Sequence, residues 1–297
     1  MTTAAAPTLA QALAQAQAGG LERLDAQMLL LLALGRDPHG RAWLLAHDTD
    51  SLAPGAARRF DELVQRRASG EPLASLTGFK AFHGLRLQVD PRVLDPRPDT
   101  ETLVEWAIEA LDAWALLPGR ASADNSAVHL IDLGTGSGAI ALAVKQARPH
   151  TAVTAVDASA DALAVARANA QRLGLSVHFI KASWLQGAGG HFHVIASNPP
   201  YIAAADPHLA ALRHEPRQAL ASGPDGLDDL RQIVQQAPAH LVNGGWLLLE
   251  HGWDQAGSVR ELLAQAGFEA VQSRRDLSGI ERCSGGLWAG SPRTGRA

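Results

Sequence analysis

The chain has 297 residues, enough for one large or two ordinary domains with a full buried core. With 46% hydrophobic and 19% charged residues it is globular rather than disordered. Its net charge of −4 gives no general attraction for nucleic acid, and its single cysteine, Cys283, excludes an internal disulfide and a multi-cysteine metal site, as fits a reducing cytoplasm.

Up to about Ser75 the pattern is helical throughout. Leu9, Leu13 and Ala16 begin one helix. Leu24, Met28, Leu31 and Leu32 carry a second, which contains the longest apolar run, Met28 to Leu34. That run is far short of the ~20 residues needed to span a bilayer and reads as a core helix. The Ala-rich start has no basic residue before Arg23, which argues against a signal peptide. Trp43-Leu44-Leu45 marks a short third helix, and Phe60, Leu63 and Val64, after Pro54, a fourth. Gly19-Gly20, Gly35 and Ser69-Gly70 separate them. Arg58-Arg59 and Arg66-Arg67 share the fourth helix, where a solvated face is the expected role. Residues 1–75 are therefore expected to form a small N-terminal helical bundle with a Leu/Ala core.

Residues 76–97 change period. Phe79, Phe82, Leu85, Leu87 and Val89 around Gly84 predict a β-hairpin, and Pro91, Pro96 and Pro98 an ordered linker. Residues 98–297 are expected to form the second domain. Asp99 or Thr100 is expected to cap a helix carrying Leu103, Val104, Trp106 and Ile108. From Val128 onward strands and helices alternate, the pattern of an α/β doubly wound parallel sheet. Val128–Leu133, Thr151–Val156, Val177–Ile180, His193–Ser197, Gly245–Glu250, Phe268–Val271 and Gly286–Ala289 are its expected strands. Residues from Ser291 are expected to fray. The histidines are scattered; His191 and His193 flank Phe192 and read as a surface pair, so no metal site is expected.

Two motifs carry the chemistry. The first expected strand runs into Gly134-Thr135-Gly136-Ser137-Gly138 and then the helical run Ala139–Val144. Strand, glycine loop, helix lets backbone approach a ligand closely and points N–H groups at it. Asp157, about twenty residues on at the end of the next strand, is placed to bind ribose hydroxyls. Gly134, Gly136 and Ala139 satisfy a dinucleotide pattern. Gly134, Gly136 and Gly138 after Asp132 fit S-adenosylmethionine better, because that ligand has no pyrophosphate and Asp132 can orient the loop amides or attract its ammonium.

The second motif is Asn198-Pro199-Pro200-Tyr201, at the end of a buried strand. The asparagine side-chain oxygen and the Pro199 carbonyl can accept the two N–H groups of a planar NH2. Proline fixes φ and contributes no competing donor. Tyr201 can cover the flat face of the amide or base. This turn has an obvious task beside a methyl donor and none beside a nicotinamide, so it selects S-adenosylmethionine.

Taken together, these residues resemble the PrmC (HemK) family of protein-(glutamine-N5) methyltransferases, which modify peptide chain release factors. The resemblance runs over nearly the whole chain. It includes the helical domain, Leu94-Asp95-Pro96-Arg97-Pro98-Asp99-Thr100-Glu101, Asp132 to Gly138, Asp157, Asn198 to Tyr201, Glu215-Pro216-Arg217, Gly223-Pro224-Asp225-Gly226-Leu227, Glu250-His251-Gly252 and the Asp276 to Arg282 segment. It implies a Rossmann-like class I methyltransferase sheet, preceded by a substrate-recognising helical domain. It implies that the glycine loop (Asp132, Gly134, Thr135, Gly136, Ser137, Gly138), Asp157 and Asn198 hold S-adenosylmethionine, with Trp184 packed on its adenine. Asn198, Pro199, Pro200 and Tyr201 would bind the substrate glutamine, with Asn198, Pro199 and Tyr201 serving the transfer itself. Glu215-Pro216-Arg217 would sit in a loop able to close over substrate; a plain loop with an internal ion pair is the simpler expectation.

The implied partner is a release factor with its Gly-Gly-Gln loop, and the enzyme is expected to be a cytoplasmic monomer with no membrane association and no nucleic-acid substrate. His83, where the family usually has an aromatic residue, and Asp95, where it has an aliphatic one, depart from the pattern and bear on substrate docking. The competing readings are an N6-adenine nucleic-acid methyltransferase, whose target is also a planar NH2, and a glutamine methyltransferase of a ribosomal protein. A non-catalytic adaptor and a nicotinamide oxidoreductase are weighed against by the same two motifs.

Overall fold

The computed structural model describes residues 6–116 and 128–290. The chain divides into two compact units, Met1–Phe79 and Lys80–Ala297.

The first unit is helical. Thr8 opens α1 (Leu9–Ala18) with a reciprocal cap: its hydroxyl accepts from the Gln11 N–H at 3.2 Å, and the Gln11 side chain accepts from the Thr8 N–H at 2.9 Å. Then follow α2 (Arg23–Ala33), α3 (Ala42–Ala46), α4 (Pro54–Ala68) and α5 (Leu73–Thr77). Pro54 occupies the first turn of α4, where a missing N–H costs nothing. The fifth helix was not distinguished in the sequence because it is barely more than one turn long. Ala26, Leu29, Leu30 and Leu31 of α2 are wholly buried and centre a core with Leu9, Leu44, Leu52, Phe60 and Leu76. Arg66 pairs with Glu71 at 2.5 Å and Arg67 with Asp25 at 2.6 Å, so part of the α4 basic cluster is neutralised within this unit.

The hairpin joins β1 (Phe79–Phe82) to β2 (Leu85–Gln88). Its two turn residues, His83 (φ +44°) and Gly84 (φ +74°), both lie in the left-handed region that a tight hairpin turn demands. His83 is held there by Glu101, whose carboxylate accepts its backbone N–H at 2.8 Å, and by Glu105, 2.5 Å from its ring. A single 3₁₀ turn, Pro98–Thr100, leads into α6 (Glu101–Ala115). Neither Asp99 nor Thr100 caps this helix through its side chain, contrary to expectation. The 3₁₀ turn already gives Thr100 helical dihedrals, which frees its hydroxyl for another partner.

The remaining elements are β3 (His129–Leu133), α7 (Ala139–Ala147), β4 (Ala152–Asp157), α8 (Ala160–Leu173), β5 (His178–Lys181), β6 (Phe192–Ser197), α9 (Asp228–Gln236), β7 (Leu241–Glu250), α10 (Ala256–Gln265), β8 (Glu269–Arg275) and β9 (Glu281–Trp288). The seven-stranded sheet runs in the order β5-β4-β3-β6-β7-β9-β8. Five strands are parallel, but β9 is antiparallel to both β7 and β8, so the sheet is mixed rather than wholly parallel. The cause is local. Only a short turn separates β8 from β9, too short for a crossover. Asp276 tightens that turn by accepting the N–H groups of Ser278 (2.8 Å) and Ile280 (3.0 Å). The fraying expected from Ser291 lies outside the described residues.

Alternate residues of β3 feed opposite faces. Leu130 joins a core with Leu103, Trp106, Ile140 and Leu142, while Ile131 and Leu133 join one with Leu230, Ile233, Leu247 and Leu263. Burial on both faces explains the near-continuous apolar runs of the central strands. From β3 the chain winds outward to β4 and β5, then returns to β6 and β7 on the other side. The reversal lies between β3 and β6, where an open α/β sheet forms its ligand crevice.

Candidate active site

The strand register brings the two sequence motifs to one crest. Leu133 of β3 pairs with Val156 of β4 and with Ser197 of β6, and Ser197 pairs with Leu249 of β7. The next residue on each strand is therefore Gly134, Asp157, Asn198 or Glu250, all at the carboxyl edge. The Ser197 hydroxyl donates to the Leu133 carbonyl at 2.8 Å and ties the two loops together at the switch point.

The glycine loop is built by Asp132. This carboxylate is wholly buried and accepts the Thr135 hydroxyl at 2.6 Å and the Ala141 N–H at 3.2 Å, so it spans the loop from strand to helix. Loss of hydration pushes its pKa up to about 7, against the pull of those hydrogen bonds. Gly134, Gly136 and Gly138 all have positive φ. Asp157 accepts the Gly136 N–H at 2.9 Å through one oxygen and the Ser159 N–H at 2.8 Å through the other. Burial raises its pKa as well.

A cavity of about 250 Å³ opens above this crest. Of the residues singled out in the sequence, Gly134, Gly136, Asp157, Trp184, Asn198 and Pro200 line it. Asp132, Thr135, Ser137, Gly138, Pro199 and Tyr201 do not. The first four sit behind or within the loop; in the second motif Pro199 lies between the two lining residues, Asn198 and Pro200, and Tyr201 follows them. Trp184 has its ring against Gly134, where an added Cβ would come within 3.2 Å of the indole. Its indole N–H donates to Asp229 at 3.1 Å. Asp229, Ala158, Ser159, Ala182 and Ser183 line the cavity beside Trp184 and Asp157, and Arg92–Leu94, Pro216, Gln218 and Ala219 line the rest of it. Sequence reasoning did not single out Asp229, which lies at the start of α9 and contributes through folding alone. Arg92 and Val93 fall in the expected linker, and Leu94 opens the Leu94–Glu101 segment.

The 201–223 loop is pinned at both ends. The Tyr201 carbonyl accepts from the Gln255 side chain at 3.0 Å, and at the base of the loop the Ile202 N–H donates to the Leu220 carbonyl and the Ser222 N–H to the Ile202 carbonyl, each at 2.9 Å. Glu215 does not form the internal ion pair with Arg217 that its spacing suggests. It reaches across to Arg97 at 2.5 Å and also accepts the Asp95 N–H at 3.2 Å. Asp95, the departure noted in the sequence, is buried and pairs with Lys80 at 3.0 Å. The linker and the loop are thus fastened to each other by charge. Tyr201 is largely buried, which raises its phenol pKa, with the negative charge of Glu250 acting in the same sense.

This architecture defines a class: a Rossmann-like methyltransferase with its glycine loop and acceptor turn at the switch point. Residues 115–226 match the "Methyltransferase small domain" and residues 8–78 the "PrmC N-terminal domain". The chain belongs to the release factor glutamine methyltransferase family. It is 51% identical to the release factor glutamine methyltransferase of Bordetella pertussis over 90% of this chain and 95% of that one. It is 42% identical to that of Escherichia coli K12, over 94% and 97% respectively. Among solved structures, a methyltransferase from Pyrococcus furiosus shares the fold at a TM-score of 0.51 and 19% identity, over 79% of this chain and 100% of that one.

The cofactor of this fold is S-adenosylmethionine, and the cavity suits it. Trp184, Ala158 and Ala182 offer an apolar surface for a base. Asp157 and Asp229 place negative charge in a cavity whose ligand carries a sulfonium. The positive-φ glycines leave backbone where side chains would intrude.

Proposed function

We infer that the chain transfers a methyl group from S-adenosylmethionine to the side-chain amide nitrogen of the glutamine in the Gly-Gly-Gln loop of peptide chain release factors. One observation carries this reading. Asn198 stands at the lip of the cofactor cavity with its Nδ2 donating inward to the Thr100 hydroxyl at 3.2 Å, so Oδ1 is the atom left to accept an N–H from a substrate.

The cofactor supplies an electrophilic methyl group. The residues supply position and polarity. Amide nitrogen is a poor nucleophile, because its lone pair is delocalised into the carbonyl. Asn198 Oδ1 and the Pro199 carbonyl would accept its two hydrogens and favour the positive charge that develops on nitrogen. Tyr201 would cover the amide plane and aim the nitrogen along the line of transfer. The proton lost from the product can leave to water, so no strong base is needed. On the cofactor side, Asp157 would take ribose hydroxyls and Trp184 would pack on the base. The helical unit would recognise the release factor. The protein is taken to act as a cytoplasmic monomer, and its net charge of −4 weighs against a nucleic-acid substrate.

The test is incubation with labelled cofactor and purified release factor, followed by mass-spectrometric localisation of the methyl group. Methylation on the glutamine of the Gly-Gly-Gln loop is expected. Label in adenine of added DNA or RNA, with none in the release factor, would overturn the reading. Asn198→Ala is expected to lower turnover by roughly 100-fold or more, the scale of one lost oriented dipole. Its cofactor affinity, read by calorimetry, should fall far less than its turnover.

A further inference from the structure

Glu250 ends β7 one residue beyond the pairing of Leu249 with Ser197, which sets it beside Asn198 at the sheet's edge. It is 1% exposed. Among the described residues, its Oε2 has no hydrogen-bond partner. A buried carboxylate in that state is costly, and a merely structural position would be better filled by an apolar residue. The side chains of Thr100 and Asn198 lie close enough to it to pull its pKa down against the effect of burial. Thr100, itself 3% exposed, accepts one Asn198 amide hydrogen through its hydroxyl oxygen, which leaves the hydroxyl hydrogen available to the neighbouring Glu250.

We propose that Glu250 is a positioning residue: with Thr100 it occupies both amide hydrogens of Asn198 and so fixes Oδ1 toward the acceptor amide of the substrate. An asparagine side chain has two flip states that differ little in shape. In the flipped state Oδ1 would face the Glu250 carboxylate and the amide donors would face the substrate's own N–H groups. That state repels on both sides. The Glu250–Thr100 pair therefore selects one orientation, and the negative charge behind the amide polarises it, making Oδ1 a stronger acceptor. The charged groups around Glu250 agree with this arrangement. Asp99 raises its pKa and Arg282 lowers it, and burial, the largest influence, brings it to about 7. Tyr201 and Cys283 feel its charge from the turn and from β9.

The inference rests on Asn198 as the amide-binding residue, so the experiment separates the two. Methyl transfer to release factor is measured for the wild type, Asn198→Ala, Glu250→Gln, Thr100→Val and Thr100→Ser, with kcat, KM for release factor and cofactor Kd for each. Full activity in Asn198→Ala would remove the foundation. With Asn198→Ala inactive, Glu250→Gln and Thr100→Val are each expected to lose roughly 10-fold or more in kcat, with cofactor Kd within about twofold of wild type. Thr100→Ser keeps the hydroxyl and is expected to recover most of what Thr100→Val loses. If Glu250→Gln fails to fold by circular dichroism, the Thr100 pair decides alone. Unchanged kcat in Thr100→Val, equal damage in Thr100→Ser, or a loss confined to cofactor affinity would each overturn the proposal.

Discussion

Asp132 shows how a single side chain is put at odds with its own stability. It organises the glycine loop from a site without solvent exposure, and its pKa is raised to about 7 by burial, well above the ordinary aspartate value near 4. A carboxyl whose pKa rises on folding binds its proton more tightly in the native state. The native state is therefore unpenalised below about pH 4, and it loses stability as pH climbs toward 7. Asp132→Asn keeps an oxygen to accept from Thr135 and Ala141 but cannot ionise. Its stability relative to wild type is expected to improve between pH 4.5 and 7.5, by an amount on the order of a few kcal/mol at about 1.4 per pKa unit. Urea denaturation at the two pH values measures the change. A difference independent of pH would show that Asp132 is solvated in a way its burial does not allow. The loop's hydrogen bonds explain why an aspartate is used despite this cost, since it accepts from a side chain and a helix amide at once.

Within the loop as an element, the glycines are not equivalent. All three lie at positive φ, where an L-residue loses roughly 1–2 kcal/mol. A Cβ on Gly136 would meet open space, whereas one on Gly138 would come within 2.9 Å of Leu142 and 3.3 Å of Ala166. Gly138 is the joint at which α7 closes on α8. Gly138→Ala is therefore expected to destabilise the sheet unit more than Gly136→Ala, by about a further 1–3 kcal/mol of overpacking, as read by chemical denaturation. Equal losses would mean that the α7–α8 contact yields freely. This contrast also marks what could be read in advance. The glycine spacing, the acid at the end of β4 and the strand ending in Asn-Pro-Pro-Tyr are local patterns, so the sequence alone assigns the loop and the Asn-Pro-Pro-Tyr turn to their elements. What lies against Gly134 and Gly138 includes Trp184 and Ala166, both distant in sequence, and those contacts have no local signature. The same holds for Glu250 behind Asn198 and for Arg97 reaching Glu215 across a separation of over a hundred residues. The antiparallel β9 was also hidden, because its apolar run looks the same in either direction and only the tight Asp276 turn decides it.

At the scale of the whole molecule, the two units have separate cores, and the cofactor cavity belongs to one of them. Every residue lining that cavity falls between 92 and 229, within the unit that begins at Lys80. The core around Leu29, Leu30 and Leu31 belongs entirely to the helical unit. A cavity cut there should act on one unit's stability and leave the other's chemistry alone. Leu30→Ala is expected to cost roughly 2–5 kcal/mol, since Leu30 is wholly buried and its neighbours can only partly collapse. The measurement is thermal unfolding by calorimetry with cofactor titration on the same sample. The expected result is a lowered transition assigned to the helical unit, with cofactor Kd held within about twofold. If substrate recognition rests on the helical unit, KM for release factor should rise as that unit loosens. An equal loss of cofactor affinity would mean that the sheet unit draws its order from the helices, and separate cores would then be a feature of packing alone.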